Sequence, residues 1–109
     1  MKIAIVGSRS LNIQNLGEYL PEGITEIVSG GAKGIDTVAA DYAKHNGIKL
    51  TLFLPEYSRY GRSAPLKRNQ QIAEYSDEVI AFWDGISRGT MYTVELFKKL
   101  GKRTTVIRL

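Results

Sequence analysis

Residues 26–36 read EIVSGGAKGID, a short apolar run that passes through two adjacent glycines into the start of a predicted helix. The apolar run predicts a buried strand. The glycines allow the tight turn and the close backbone approach that such a transition needs. A strand that enters a helix through a glycine-rich turn is typical of α/β proteins.

Apolar runs alternate with helix-period segments along the whole sequence. We predict strands at 2–6, 26–29, 49–54, 78–83 and 104–108, and helices at 13–20, 34–46, 64–76 and 89–100. The first and fourth runs are almost continuously apolar, as in central strands covered on both faces, whereas the last alternates and is expected at an edge. The pattern predicts an α/β fold with a mostly parallel five-stranded sheet, and 109 residues suit a single domain over 1–109.

Composition excludes several classes of function. The chain has no cysteine and one histidine, His45, so thiol catalysis, disulfide scaffolds, iron–sulfur clusters and thiolate zinc sites are excluded and no metal site is expected. The apolar run at 2–6 is too short for a signal peptide or a membrane span, so we expect a cytoplasmic protein without a membrane partner. The net charge of +4 favours an anionic partner.

Three polar, glycine-bearing segments directly follow predicted strands. They are Gly7-Ser8-Arg9, residues 29–36 and residues 84–90. Because the carboxyl ends of parallel strands lie along one edge of a sheet, these segments are expected to converge there. Open α/β sheets bind ligands at that edge, near the point where the strand order switches.

The second of these segments is suited to a phosphate group. Two adjacent glycines let the backbone approach a ligand, and the following helix start presents unpaired N–H groups and a partial positive charge. The expected ligand residues here are Ser29, Gly30, Gly31, Lys33 and Gly34. A tight turn that needs glycine for geometry alone is the alternative, and the spacing is not that of a Walker A loop.

The third segment repeats this arrangement at the next predicted helix start. Ser87, Gly89 and Thr90 are placed to bond phosphate oxygens or to cap the helix. Asp84 suits a ribose hydroxyl or the start of a turn. Asp36 lies in a first helical turn, where the dipole stabilises a carboxylate with or without a ligand, and we favour a structural role for it. Both acids are weak candidates for catalysis, and no nucleophile or base is evident.

Basic residues gather near the expected site. Arg9 directly follows a strand and is placed to donate a forked pair of bonds to a phosphate. The stretch 55–68 carries four cations and one acid, and within it Tyr57 and Tyr60 interleave with arginines, a mixture suited to stacking on a base.

Arg68 and Asn69 complete the candidate residues. The predicted third helix has Leu66, Asn69, Ile72 and Ala73 on one side, so Asn69 faces inward and needs a polar partner.

These segments resemble the SLOG superfamily of nucleotide-binding domains, and its small YspA-type branch in particular. The resemblance rests on Gly7-Ser8-Arg9, on SGGAKGID at 29–36, on Arg68-Asn69 and on the run from 76 to 90. It implies a single Rossmann-like three-layer α/β/α sandwich whose glycine loops hold a nucleotide or a nucleotide-derived ligand. It implies sensing or processing of that ligand, with no further cofactor.

Two related families supply alternatives. The SGGAKGID and Arg-Asn segments, with the stretch 89–102, are similar to the core of the DNA-processing protein A family, which binds single-stranded DNA. The lysine-decarboxylase-like phosphoribohydrolases carry P-G-G-x-G-T-x-x-E, and here Thr93 stands where their glutamate is expected. Glu95 points about 200° away on a helix, so N-glycosidic hydrolysis of a nucleotide is the least supported alternative. Pairing of two copies through helices is also expected.

Overall fold

A computed structural model describes all 109 residues and contains one five-stranded sheet in which every neighbouring pair of strands is parallel. The strand order is β3-β2-β1-β4-β5. As predicted, the almost continuously apolar strands β1 and β4 lie in the middle and the last strand lies at an edge. The strand bounds are β1 Lys2–Gly7, β2 Glu26–Ser29, β3 Lys49–Leu52, β4 Glu78–Trp83 and β5 Arg103–Arg108.

Helices cover both faces of this sheet. They are α1 Ile35–His45, α2 Tyr57–Tyr60, α3 Ala64–Tyr75 and α4 Arg88–Lys99. One core packs α1 against the sheet and includes Ile3, Ile27, Ile35 and Phe82, all fully buried. The other packs α3 and α4 against the opposite face and includes Ala4, Val28, Ile72 and Phe97. Successive residues of one strand, such as Ile3 and Ala4, belong to opposite cores because successive side chains point to opposite faces of a sheet. The three-layer α/β/α sandwich is confirmed.

The predicted helix at 13–20 is wrong. Only a 3-10 turn, Leu16–Tyr19, forms there, and Leu16 is its one buried residue. Asn15 and Gly17 give this segment weak helix propensity. A Cβ on Gly17 would lie 2.9 Å from the hydroxyl of Tyr42, so the chain passes too close to α1 for a wider helix.

The segment after β3 also differs from the prediction. The strand ends at Leu52 rather than at 54, because Leu54 precedes Pro55 and Phe53 turns to pack against the second core. The predicted loop 55–63 contains the short helix α2 and a 3-10 turn, Gly61–Ser63. The other three helices begin and end within one residue of their predicted bounds. No helix is both long enough and apolar enough to cross a membrane.

A buried carboxylate joins the layers at the edge of the sheet where the strands begin. Glu26 is 6% exposed and accepts hydrogen bonds from the hydroxyls of Thr51, at 2.6 Å, and Tyr75. Lys49 lies 3.5 Å from the same carboxylate. The bond from Thr51, then that from Tyr75, and more weakly the charge of Lys49 lower the pKa of Glu26 against the opposing effect of burial. The charged form of Glu26 therefore stabilises the fold.

Replacement of this carboxylate tests that statement. We expect Glu26→Gln to lower the free energy of unfolding by about 1–2 kcal/mol at pH 7, because a charged acceptor of two hydrogen bonds is lost. Since the folded-state pKa is depressed, the contribution is complete above the ordinary pKa of glutamate and is lost as pH falls through the folded-state value. Urea denaturation at a series of pH values from 7 to 3 should show that the difference in free energy of unfolding between the unmodified chain and Glu26→Gln becomes smaller. Glu74→Gln, at an exposed position, is the control, and a difference independent of pH would contradict the assignment.

Candidate functional site

The three glycine-bearing segments meet at the carboxyl edge of the sheet and surround a cavity of about 500 Å³. The chain leaves β1 toward the face covered by α1 and leaves β4 toward the face covered by α4, so a crevice opens between the ends of these neighbouring strands. Helix α3 closes one side of the crevice. The cavity volume lies within the range of roughly 300–1,000 Å³ that is usual for small-molecule sites.

Most of the residues expected at the site line this cavity. They are Gly7, Ser8, Arg9, Gly30, Asp36, Arg68, Asn69, Asp84, Ser87, Gly89 and Thr90. Four of the expected ligand residues do not line it, namely Ser29, Gly31, Lys33 and Gly34. The lining also contains six residues that were not expected, namely Val6, Ser10, Ala32, Pro65, Leu66 and Ile72.

Helix periodicity is the sequence signal that could have identified the cavity-lining residues Pro65 and Leu66 on α3. Pro65 lies three residues before Arg68 and four before Asn69, and Leu66 lies three before Asn69, so these residues share one side of the helix. Leu66 was assigned to the core, but it is 47% exposed and faces the cavity instead. It contributes apolar surface to the side of the cavity formed by α3.

Two of the glycines are required for packing between loops. Gly34 has a φ of +75°, and a Cβ there would lie 2.6 Å from the carbonyl oxygen of Arg9 and 2.8 Å from that of Ser8. On Gly7 a Cβ would lie 2.5 Å from the side chain of Ile35. The turn after β1 therefore rests directly on the start of α1. Of the two interpretations of this glycine-rich segment, a phosphate-binding loop or a turn that needs glycine for geometry alone, the structure shows the second for Gly34.

Asp36 is buried beneath the glycine loop. It is 7% exposed, and its Oδ2 accepts the N–H of Ala32 at 3.1 Å. Burial raises the pKa of Asp36, although the bond from Ala32 and the charges of Arg68 and Arg9 oppose the increase. The carboxyl group thus serves the loop's own backbone, which agrees with the structural role favoured for this residue.

Arg68 connects α3 to the same loop. Its Nη1 donates to the carbonyl oxygen of Gly30 at 2.8 Å, and its Nε donates to Oδ1 of Asn69 at 2.8 Å. Asn69 therefore has the polar partner that its inward position requires. Burial lowers the pKa of Arg68 and the nearby Asp36 carboxyl raises it, but an arginine stays charged in either case. The result is a fixed positive charge on the cavity wall.

The turn between β4 and α4 is organised by Asp84. Its Oδ1 accepts the N–H groups of Ile86 and Ser87, each at 2.8 Å, and its Oδ2 accepts the hydroxyl of Ser10 at 3.2 Å. The two backbone bonds, followed by weaker bonds from Ser8 and Ser10, lower the pKa of Asp84. The carboxylate therefore stays ionised near neutral pH and is a poor proton donor. Of the two alternatives for Asp84, the turn is the one that the structure contains.

The first turn of α4 faces the cavity with open backbone. Ser87 is the N-cap, and its hydroxyl accepts the N–H of Thr90. The N–H groups of Arg88 and Gly89 have no hydrogen-bond partner within the chain. A Cβ on Gly89 would meet no atom within 4 Å. The start of α4 thus presents unpaired donors, with the exposed Arg9 also on the lining.

The position that corresponds to the phosphoribohydrolase glutamate holds no acid. Thr93 is buried, and its hydroxyl donates to the carbonyl oxygen of Gly89 at 3.1 Å. Glu95 is exposed and lies 3.5 Å from Lys98 on the outer side of α4. The structure therefore also lacks an acid at the position where the phosphoribohydrolases carry their glutamate. No group of three or more histidine or acidic side chains is arranged to hold a metal ion.

The sheet order, the two helical layers and the crevice between β1 and β4 define a Rossmann-like α/β domain. Residues 1–60 match the model of the YspA, cpYpsA-related SLOG family, and the chain belongs to this family. It is also similar to the X-ray structure of DNA processing protein A (DprA) from Streptococcus pneumoniae, with 25% identity and a TM-score of 0.72 over 96% of its length. The chain spans 49% of that protein's chain. Comparison with curated proteins gives no match.

A pair of glycine variants tests which glycines the fold needs. We expect Gly34→Ala to cost about 2 kcal/mol of stability or more, because its φ is positive and the new methyl group meets two carbonyl oxygens. Gly89→Ala should be neutral or stabilising by up to about 1 kcal/mol, since it raises helix propensity in open space. Thermal and urea unfolding of both variants give the comparison. A Gly34→Ala protein as stable as the unmodified chain would contradict the close approach described here.

Proposed function

We propose that the cavity binds a nucleotide or a nucleotide-derived ligand through its phosphate. The observation that carries the proposal is the start of α4, where unpaired N–H groups, two hydroxyls and open space at Gly89 face a cavity of suitable size. The N-terminus of a helix attracts anions through its free N–H groups and its dipole. Membership of the SLOG family and the likeness to DprA support a nucleotide or nucleic-acid ligand in general.

The phosphate is assigned to the region between the first turn of α4 and the turn after β1. The N–H groups of Arg88 and Gly89 would donate to its oxygens, as would the hydroxyls of Ser87 and Thr90. Arg9 is exposed on the same cavity lining and free of any ion pair, so it is available to close over the phosphate.

The rest of the ligand is assigned to the other side of the cavity. Pro65 and Leu66 provide an apolar surface on which a base can rest, with Asn69 beside them as a polar group. Ser10 and Asp84 lie at the strand ends and are the groups available to a ribose hydroxyl. The ligand would therefore extend from α4 toward α3, and binding requires no separate cofactor.

Replacement of Gly89 is the sharpest test of the phosphate position. Gly89→Asp places a carboxylate in the proposed site, at a helix start where an acid is itself favourable, so the fold should be retained. We expect titration with AMP, ADP-ribose and dinucleotides to show saturable binding of at least one of them to the unmodified chain, and Gly89→Asp to bind that ligand at least about tenfold more weakly, by calorimetry.

Gly89→Asn is the matched control for that experiment, because it adds nearly the same volume without the charge. It should bind more tightly than Gly89→Asp. Mass spectrometry of small molecules retained after mild purification would identify the natural ligand. Absence of binding by every nucleotide at millimolar concentration, or equal affinities for the Asp and Asn variants, would overturn the proposal.

Single-stranded nucleic acid is the second candidate ligand, and exposed side chains next to the cavity favour it. Tyr57 is 60% exposed, and Arg62 and Lys67 are exposed and form no ion pair. Arg59 lies 3.9 Å from Glu56 and stacks on Tyr60, with 5.1 Å between the guanidinium and the ring centroid, so it is partly engaged. These residues extend the positive surface beyond the volume that one nucleotide fills.

Salt dependence distinguishes this candidate from a small ligand. For an oligothymidine, the logarithm of the affinity should fall linearly with the logarithm of the salt concentration. A double variant, Arg62→Gln with Lys67→Gln, should reduce that slope by about 1.4, or roughly 0.7 for each lost phosphate contact. Lys44→Gln with Lys99→Gln, at helix ends on the opposite edge of the sheet, is the control and should leave the slope unchanged. No binding at low salt would exclude this candidate.

A further inference from the structure

The glycine loop between β2 and α1 already holds a carboxyl group that belongs to the chain. The carboxyl of Asp36 accepts the N–H of Ala32 from below the loop, in the position where the sequence led us to expect a phosphate. A Cβ on Gly30 would lie 3.1 Å from Oδ2 of Asp36 and 2.5 Å from Nη1 of Arg68, so both charged groups press against this backbone. The N–H of Ala32 is therefore not free to bind a ligand.

Arg68 is likewise engaged on this side of the cavity. Its Nη1 is bonded to the carbonyl of Gly30 and its Nε to Asn69. The cavity lining as a whole contains two arginines, Arg9 and Arg68, and two acids, Asp36 and Asp84. With these charges balanced, the N–H groups of Arg88 and Gly89 at the start of α4 are unpaired, and neither acid is bonded to them.

We propose that Asp36 is a specificity-determining residue that limits the ligand of this cavity to one phosphoryl group. The inference rests on the proposed function and sharpens it, because the ligand becomes a nucleoside monophosphate or a single phosphodiester rather than a diphosphate or triphosphate. A second phosphoryl group extending toward β2 would meet the Asp36 carboxylate and find the loop's amide already engaged. Like charges brought together in a partly buried site repel each other strongly.

A purely structural role for Asp36 predicts a different outcome. As a hydrogen-bond acceptor for Ala32 it can be replaced by asparagine, which keeps the acceptor and removes the charge. Burial raises the pKa of Asp36, which means that the protein gains no net stability from its ionisation. Asp36→Asn is therefore expected to fold, and it separates the charge from the hydrogen bond.

The experiment compares one-phosphate and two-phosphate probes on the full chain. Titration calorimetry with inorganic phosphate against pyrophosphate, and with AMP against ADP, measures the preference without knowledge of the natural base. We expect the unmodified chain to bind each one-phosphate probe at least as tightly as its two-phosphate partner. Asp36→Asn should shift the ratio toward the two-phosphate probe by about tenfold, the size of one charge-assisted hydrogen bond.

Two further variants keep the result interpretable. Asp41→Asn changes the net charge equally, but Asp41 is exposed on α1 outside the cavity, so the ratio should not move. Asp36→Ser removes the charge with a smaller hydroxyl acceptor and should shift the ratio in the same direction as Asp36→Asn. Circular dichroism and thermal unfolding establish that each variant is folded.

The outcomes separate this inference from the function on which it rests. Tighter binding of the two-phosphate probes than of the one-phosphate probes by the unmodified chain would overturn the inference while leaving nucleotide binding intact. So would an unchanged ratio in both Asp36 variants. If no probe and no nucleotide binds the unmodified chain, the proposed function itself is wrong, and the inference is overturned with it.

Discussion

The close approach of two backbone turns governs the carboxyl edge of the sheet. The start of α1 rests on the turn after β1 because Gly34 presents no Cβ to the carbonyls of Ser8 and Arg9. Gly7, at the end of β1, likewise has no Cβ and leaves room for the side chain of Ile35. Since α1 is attached to β2, this contact sets the position of the glycine loop relative to β1 and therefore the shape of the crevice. Asp84 then joins the turn after β4 to the same unit through Ser10 and Ser8.

Charge inside the cavity follows from that packing. Asp36 and Arg68 lie beside the same glycine loop, one bonded to an N–H group and the other to a carbonyl. Neither is free to meet a ligand fully, although both line the cavity. The two helix starts differ in one respect: the Asp36 carboxyl group accepts the N–H of Ala32 just before α1, whereas no acid is bonded to the N–H groups of Arg88 and Gly89 at the start of α4. In the proposed function, electrostatic asymmetry between these two walls would orient the ligand.

Much of the fold could be predicted because its signals are local. Central strands such as β1 and β4 are continuously apolar, and α1, α3 and α4 carry apolar stripes at helical spacing, so their bounds were found within one residue. The segment at 13–20 has such a stripe only weakly, and its conformation depends on contact between Gly17 and Tyr42, which is distant in sequence. For the site, eleven expected residues line the cavity because the carboxyl ends of parallel strands must converge. The ligand roles assigned to them remain predictions.

The sequence by itself determined the succession along the chain of the five strands and of α1, α3 and α4, the edge where the polar segments meet and the absence of thiol chemistry, because residue type and periodicity carry that information. Only the tertiary structure decided which way each polar group faces. SGGAKGID is consistent with a phosphate loop in sequence, yet Asp36 folds back under it and Gly34 is taken up by packing against Ser8 and Arg9. Leu66 was expected in the core, but in the structure it lines the cavity. Such assignments depend on the distance between groups far apart in the chain, and that distance exists only once the layers have packed.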